Sequence, residues 1–245
     1  MTTKTDRRAE LGRFDVPLYT LTEAARYLDV PPSTLTSWAK GYQRRSPGRP
    51  TVVGAPVLTA IGKDGARGPV VPFVGLAEGL VLTAIRHGGV PLQRIRPALA
   101  QLEKEFGVQH ALASKRLYTD GAEILFDYSE NGDDPDAARA ARDLVVVRNG
   151  QRVFSDVVES YLRRIEFGKD GYAKLIHLPA YQTADVVVDP TRGFGQPIFA
   201  RGGARLEDAI ALFRAGESLD TVAKEYGVPR ADMEDAVRIA TRIAA

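Results

Sequence analysis

Tyr19-Thr20-Leu21-Thr22-Glu23-Ala24-Ala25-Arg26-Tyr27-Leu28-Asp29-Val30-Pro31-Pro32-Ser33-Thr34-Leu35-Thr36-Ser37-Trp38 is the stretch that decides the fold. Thr20, followed three residues later by Glu23, is a capping box: hydroxyl and carboxylate each satisfy an orphan amide of the first helical turn. It opens a short helix carrying Leu21, Ala24, Ala25 and Leu28 at helical spacing. Residues 29–32, with two prolines, force a turn. Ser33 then starts a second helix with Leu35 and Trp38 three apart, and Gly41 supplies its stop. Ala24 and Ala25 let the two helices cross closely, and Leu21, Leu28, Val30, Leu35 and Trp38 fill the small core between them.

The second helix turns Ser33, Thr34, Thr36, Ser37 and Lys40 away from that core. Short donors and a cation on one face suit phosphates and base edges in a major groove. Arg44, Arg45 and Arg49 follow in a Pro/Gly-rich loop, residues 41–54, and Arg44 and Arg45 are expected to act mainly on phosphates. A structural helical hairpin would share the spacing, but the small polar face and the adjoining cations favour DNA. Apolar stretches at 57–61 and 70–74, separated by Gly62, Gly65 and Arg67, read as a hairpin wing.

Charge agrees with this reading. Over the whole chain the net charge is only +2, but residues 1–69 hold eleven Lys/Arg against six Asp/Glu, a surplus of five. The positive end is the end with the helix pair.

Further along, helical periodicity at 75–86 and 92–106, split by Gly88-Gly89-Val90-Pro91, predicts a helical hairpin. Residues 115–119 and 123–128, joined by Asp120-Gly121, read as a pair of strands, and the acidic stretch 129–143 reads as a linker with a domain boundary. Beyond it come strands at 144–148 and 151–154 about an Asn149-Gly150 turn, a helix at 155–164 and a strand at 172–177, together a small sheet. An apolar run at 186–188 and a Gly-rich loop through Gly203 precede three helices at 206–215, 219–226 and 230–244. The fold class is α+β, mainly helical: a winged helix-turn-helix at 1–74, a connecting and dimerisation region at 75–128, and a small sheet with a trihelical domain at 144–245.

Residues 219–233 echo the spacing of residues 22–35. Their second helix carries Asp232, Glu234 and Asp235, with Glu217, Asp220 and Glu225 around the first, so a phosphate backbone would meet like charge. A partner-binding or dimerising module is the better reading.

Enzymatic chemistry finds little footing. With no cysteine there is neither disulfide nor thiolate metal site, and His87, His110 and His177 are too dispersed for a local metal motif. Asp133, Asp134 and Asp136 sit in polar text, and the glycine pairs near 193–195 and 202–203 lack a phosphate-loop lysine. No catalytic residue, metal or cofactor is expected. A polar N-terminus and the absence of an apolar run near the ~20 residues of a membrane span predict a cytoplasmic protein.

Tyr19 to Ala25, Pro32 to Leu35 and Trp38 resemble the start of the MerR/excisionase type of winged helix-turn-helix, which implies that recognition helix and wing contact a duplex. Phe73 to Glu78, Val90, Gln93 to Arg96, His110 to Ser114 and Thr119 to Gly121 resemble the middle of actinobacterial proteins that join such a head to a DUF433 domain. Asp189-Pro190, Gly195 to Pro197, Glu207-Asp208 and Ala215 to Ser218 match that domain. The composite is similar to VapB-type antitoxins encoded beside PIN-domain ribonuclease toxins, which implies operator binding plus toxin neutralisation. The Gly-rich run ending Arg201-Gly202-Gly203-Ala204-Arg205-Leu206 departs from the family element by lacking its proline; Arg201 or Arg205 is the cation expected in a toxin's acidic site. A homodimer on an inverted repeat is expected, with residues 76–85 and 95–102 as its apolar face. Two rivals stand beside this reading: a small-molecule-sensing repressor with its ligand in residues 144–181, and a metal-dependent nuclease using Asp133 or Asp134.

Overall fold

The computed structural model describes residues 12–45, 51–62, 68–148 and 151–242. Strand β1 (Pro17–Tyr19) leads into helices α1 (Leu21–Tyr27) and α2 (Pro32–Lys40). The capping box forms as its sequence requires: the Glu23 amide donates to Thr20 Oγ1 at 3.1 Å and the Thr20 amide to Glu23 Oε2 at 2.8 Å. Pro32 occupies the first turn of α2, where its missing N–H costs nothing. Ala24, Ala25, Leu28, Leu35 and Trp38 are buried as expected.

The wing lies upstream of the position expected for it. Strand β2 (Tyr42–Arg44) pairs antiparallel with β3 (Val52–Gly54), while residues 57–61 form no strand and β4 (Val71–Pro72) pairs with β1. Gly41 makes the early reversal possible: its φ is +72°, and a Cβ there would stand 2.4 Å from the Gly54 carbonyl oxygen. The amides of Val57 and Leu58 then bond to the Trp38 carbonyl, which stitches the return of the wing to the end of α2. Residues 46–50 and 63–67 lie outside the described residues.

Helix α3 (Phe73–His87) is buried at every position from Phe73 to Ile85, the mark of a central helix with apolar neighbours all round. Helix α4 (Leu92–Phe106) completes the expected hairpin. Leu76, Leu80, Ile95 and Leu102 are fully buried within the chain, so the face expected to meet a second copy is occupied by intrachain packing. Beneath the head, the buried Glu78 carboxylate accepts from the Thr59 amide at 2.6 Å and lies 3.0 Å from Thr59 Oγ1 and from His110 Nδ1.

The stretch read as two strands is one helix, α5 (Lys115–Asn131). Leu117, Gly121, Leu125 and Ser129 recur every four residues and are buried while Thr119, Glu123 and Asp127 midway between them are exposed, a pattern that fits a helix and not the period of two of a strand. Gly121, read as a turn residue, instead lets Leu117 and Phe154 approach closely. The expected linker is likewise helical. In α6 (Pro135–Leu144), Asp134 caps the first turn through its bonds from the Asp136 and Ala137 amides, and Ala137, Ala140, Ala141 and Leu144 form a buried face of small residues.

Strands β5 (Val145–Arg148) and β6 (Gln151–Phe154) form their own hairpin, whose turn at 149–150 lies outside the described residues. After α7 (Asp156–Leu162), strands β7 (Ile165–Phe167), β8 (Ala173–His177), β9 (Val186–Val188) and β10 (Ile198–Phe199) make an antiparallel sheet in that order, so β5 and β6 do not join it. Helices α8 (Leu206–Arg214), α9 (Leu219–Tyr226) and α10 (Arg230–Arg242) follow as expected.

Long-range polar ties join the halves. Tyr19 Oη donates to the Gly195 carbonyl at 2.7 Å, and the buried Arg13 donates to the Ala173 carbonyl at 2.8 Å. Asp235 of α10 is 2% exposed and accepts from the amides of Gln182, Thr183 and Ala184, with Arg238 on its other oxygen. Burial alone would push this carboxyl up; the three amides and the guanidinium outweigh it and hold the group below the ordinary aspartate range.

Candidate nucleic-acid interface

The turn between α1 and α2 is built by Asp29, whose φ of +55° suits a short polar side chain, and by Val30, whose amide returns to the Ala25 carbonyl. This geometry aims α2 outward over its first two turns. Ser33 and Lys40 are exposed, and Thr34, Thr36 and Ser37 are half-buried along one edge. Their hydroxyls are not equivalent. Thr36 donates to the Pro32 carbonyl at 2.8 Å and Ser37 to the Ser33 carbonyl at 2.9 Å, so both offer a ligand their lone pairs rather than a hydrogen. Thr34 Oγ1 instead accepts from Arg86 Nη1 at 2.8 Å and keeps its hydrogen to donate.

Arg86 comes from the last turn of α3, and with it a second tier of cations enters the surface. Arg96 of α4 donates to the Ala55 carbonyl and lies over the Tyr42 ring, 5.8 Å from its centroid, which ties α4 to the wing. Thr34, Ser37, Tyr42, Gln93 and Arg96 line a cleft of about 490 Å³ beside α2, and Arg94 is exposed one residue along from Gln93. Sequence reasoning misses both Arg86 and Arg96 at this surface. The signal for Arg96 is the cationic Gln93 to Arg96 run, separated by more than fifty residues from the helix it joins, while Arg86 stands alone at the end of α3.

Of the remaining sequence-derived candidates, Arg45 is exposed just past β2, and Arg44 lies within β2 opposite Val52. Arg49 lies outside the described residues. In the C-terminal half, Arg201 is exposed in the loop before α8, and Arg205 occupies the N-cap of α8 with Asp208 at 3.7 Å. These two are remote in sequence and element from the α2 cations.

Asp133, Asp134 and Asp136 gather at the start of α6, where Asp134 serves as its cap. A cleft of about 710 Å³ lies between the residues after the wing and α3/α4, lined by Thr59, Glu78, Glu103 and His110. Burial and the neighbouring Glu78 carboxylate push the Glu103 carboxyl up, with His110 opposing them. Among the described residues no helix is long and apolar enough to cross a membrane.

Known proteins share both halves. The model of a family described as a "Putative DNA-binding HTH domain" matches residues 17–99, and one described as "Protein of unknown function (DUF433)" matches residues 186–240. The first match runs from β1 through α3 into α4 and so takes in Arg86, Arg94 and Arg96. The chain is 48% identical over 233 residues to "Putative antitoxin VapB45" of Mycobacterium tuberculosis (strain ATCC 25618 / H37Rv), covering 95% of this chain and 97% of the relative. It is 27% identical to "Uncharacterized protein Rv2308" of the same strain, over 91% and 90% of the two chains. The crystal structure of Rv2018 from Mycobacterium tuberculosis superposes with a TM-score of 0.80 at 46% identity, covering 92% of this chain and 99% of that one.

Proposed function

The chain belongs to the family of the putative antitoxin VapB45, and on that premise we propose that it is a sequence-specific DNA-binding antitoxin that represses its own operon and neutralises a PIN-domain ribonuclease. The observation that carries the DNA half is the surface of α2. Ser33 and Lys40 stand out from the helix with Thr34 half-buried beside them, Arg86 of α3 donates to Thr34, and Arg45 is exposed just past β2. A MerR-like docking follows: α2 enters a major groove, its donors read base edges, and the wing and the α3/α4 cations hold phosphates on either side. Thr36 and Ser37 act as acceptors there, because their hydrogens are committed to the helix carbonyls.

One α2 reads only a few base pairs, so operator specificity calls for two copies on an inverted repeat. Because the α3/α4 faces are filled from within the chain, the pairing surface lies elsewhere. The C-terminal half supplies the toxin contact, with Arg201 and Arg205 directed to the carboxylates of a ribonuclease metal site.

The test is binding of the full chain to duplex from its own promoter over a range of salt. Replacing Arg44 and Arg45 together by alanine should weaken all duplexes alike and lower the salt slope by about one unit for each phosphate no longer neutralised. Weakening confined to one sequence at an unchanged slope would contradict the phosphate assignment, and absence of duplex binding by the parent chain would contradict the function itself. The same preparation should silence the ribonuclease encoded beside it, and light scattering with operator should give two copies per site.

A further inference from the structure

Residues 193–195 pass in succession through left-handed backbone: Gly193 at φ +55°, Phe194 at +55° and Gly195 at +74°. The flanking glycines are required by close approach, since a Cβ on Gly193 would stand 2.8 Å from Ile198 and one on Gly195 2.8 Å from Leu18 of β1. The middle position is different. A phenylalanine sits there in a conformation that favours glycine, and its ring is 88% exposed, so within the chain it gains almost no packing in return. Single exposed apolar residues are ordinary, but a strained and uncovered aromatic is not.

The loop that holds the ring is firmly tied. The Arg192 amide bonds to the Asp189 carbonyl, the Gly195 amide to Arg192 and the Gln196 amide to Gly193, while Tyr19 of the head bonds to the Gly195 carbonyl. A fixed aromatic knob loses little conformational freedom when it is buried by a partner. Arginines belong to the same region: the Arg205 stem lies near Gly193, the Arg192 guanidinium lies against Gly203, and Arg201 is exposed in the loop that follows β10. The neighbouring acids are already engaged, Asp189 by Thr191, Asp185 by His177, Asp208 by Arg205 and Glu207 by Arg214. Among the described residues, Arg192 meets no carboxylate at ion-pair distance.

We infer that Phe194 is the anchor of a protein-binding surface, and that its partner presents an apolar pocket rimmed by carboxylates. The inference rests on the antitoxin reading, which makes that partner the ribonuclease. A duplex is the poorer occupant, because an exposed phenylalanine ring offers a phosphate backbone neither charge nor hydrogen bond.

The experiment titrates the full chain and its variants against the purified ribonuclease and, separately, against promoter duplex. Phe194→Ala and Phe194→Gly should each weaken ribonuclease binding by about 30-fold or more, the size of a buried aromatic hot spot. Duplex affinity should be unchanged. Phe194→Gly should melt at or above the parent temperature, because glycine accepts this backbone freely, and Phe194→Trp should retain most of the binding. Parent-like ribonuclease binding by the alanine and glycine variants would overturn the anchor while leaving the antitoxin reading intact. Weakened duplex binding in place of weakened ribonuclease binding would make the ring a DNA wedge and would also overturn it. If the parent chain itself does not bind the ribonuclease, the antitoxin reading falls and the anchor falls with it.

Discussion

The chain contains two helix pairs with nearly the same plan, α1–α2 and α9–α10. Each opens on a hydroxyl cap, Thr20 or Ser218, turns through a left-handed residue, Asp29 or Gly227, and restarts beside a proline, Pro32 or Pro229. Their surfaces differ. Around α2, Ser33, Lys40 and Arg45 are exposed, and among the described residues Arg86 donates to a hydroxyl and meets no carboxylate. On α10, Arg230 meets Asp220 at 2.8 Å and Glu234 at 3.5 Å, Arg238 meets Asp235, and Asp235 itself clamps residues 182–184. A helix-turn-helix backbone is thus a packing solution first. It becomes a nucleic-acid surface where its cations are left without carboxylates.

The largest expected effect falls on α10. Asp235→Ala leaves the buried Ala184 amide and the part-buried Gln182 and Thr183 amides without their acceptor and should cost about 2–3 kcal/mol of stability, read by urea unfolding. The same carboxyl sets an acid limit. Its pKa is lower in the folded than in the unfolded chain, so its contribution is complete above about pH 4 and is lost as pH falls through the folded value. An unfolding midpoint that stays flat from about pH 6 down to about pH 2 would remove Asp235 from its role as a clamp and make the two helix pairs more alike.

On the other side of the comparison, Gly41→Ala forces a left-handed alanine against the Gly54 carbonyl and should cost about 2 kcal/mol. Duplex affinity should fall further than stability, since the wing is displaced. Full operator affinity in a folded Gly41→Ala chain would show that the wing makes no contact. A smaller effect is expected of Arg86→Ala with Arg94→Ala: a salt slope lower by up to about two units and roughly tenfold weaker duplex binding. An unchanged slope would confine the interface to α2 and the wing. The smallest is Arg230→Ala, whose exposed ion pairs should change stability by no more than about 0.5 kcal/mol and duplex affinity not at all. A salt-dependent drop in DNA binding in that variant would mean that the second helix pair also reads DNA.

Where the sequence misleads, a local signal has a nonlocal cause. Asp120-Gly121 looks like a hairpin turn, but Gly121 serves the contact of α5 with Phe154, thirty-three residues away. The acidic text at 129–143 looks like a linker because half of α6 is polar; its alanines at 137, 140 and 141 become a buried face only when neighbouring helices cover them. Sequence places the wing too late because apolar runs at 57–61 and 70–74 outweigh the short pairing of residues 42–44 with 52–54, whose stability derives from contact with the end of α2.

By itself the sequence determined what depends on near neighbours: the capping box at Thr20, the turn at Asp29, the central helical hairpin, the three C-terminal helices and the basic bias of the head. Capping, helical periodicity and net charge act within a few residues and can be read along a line. Tertiary structure alone decided that Arg86 reaches α2 and Arg96 the wing, that Thr36 and Ser37 turn their hydrogens to helix carbonyls, that Asp235 faces three amides and that Phe194 faces solvent. Those outcomes depend on which side chains meet across the fold, and a charge or a ring is free to act only where the packing leaves it without a partner.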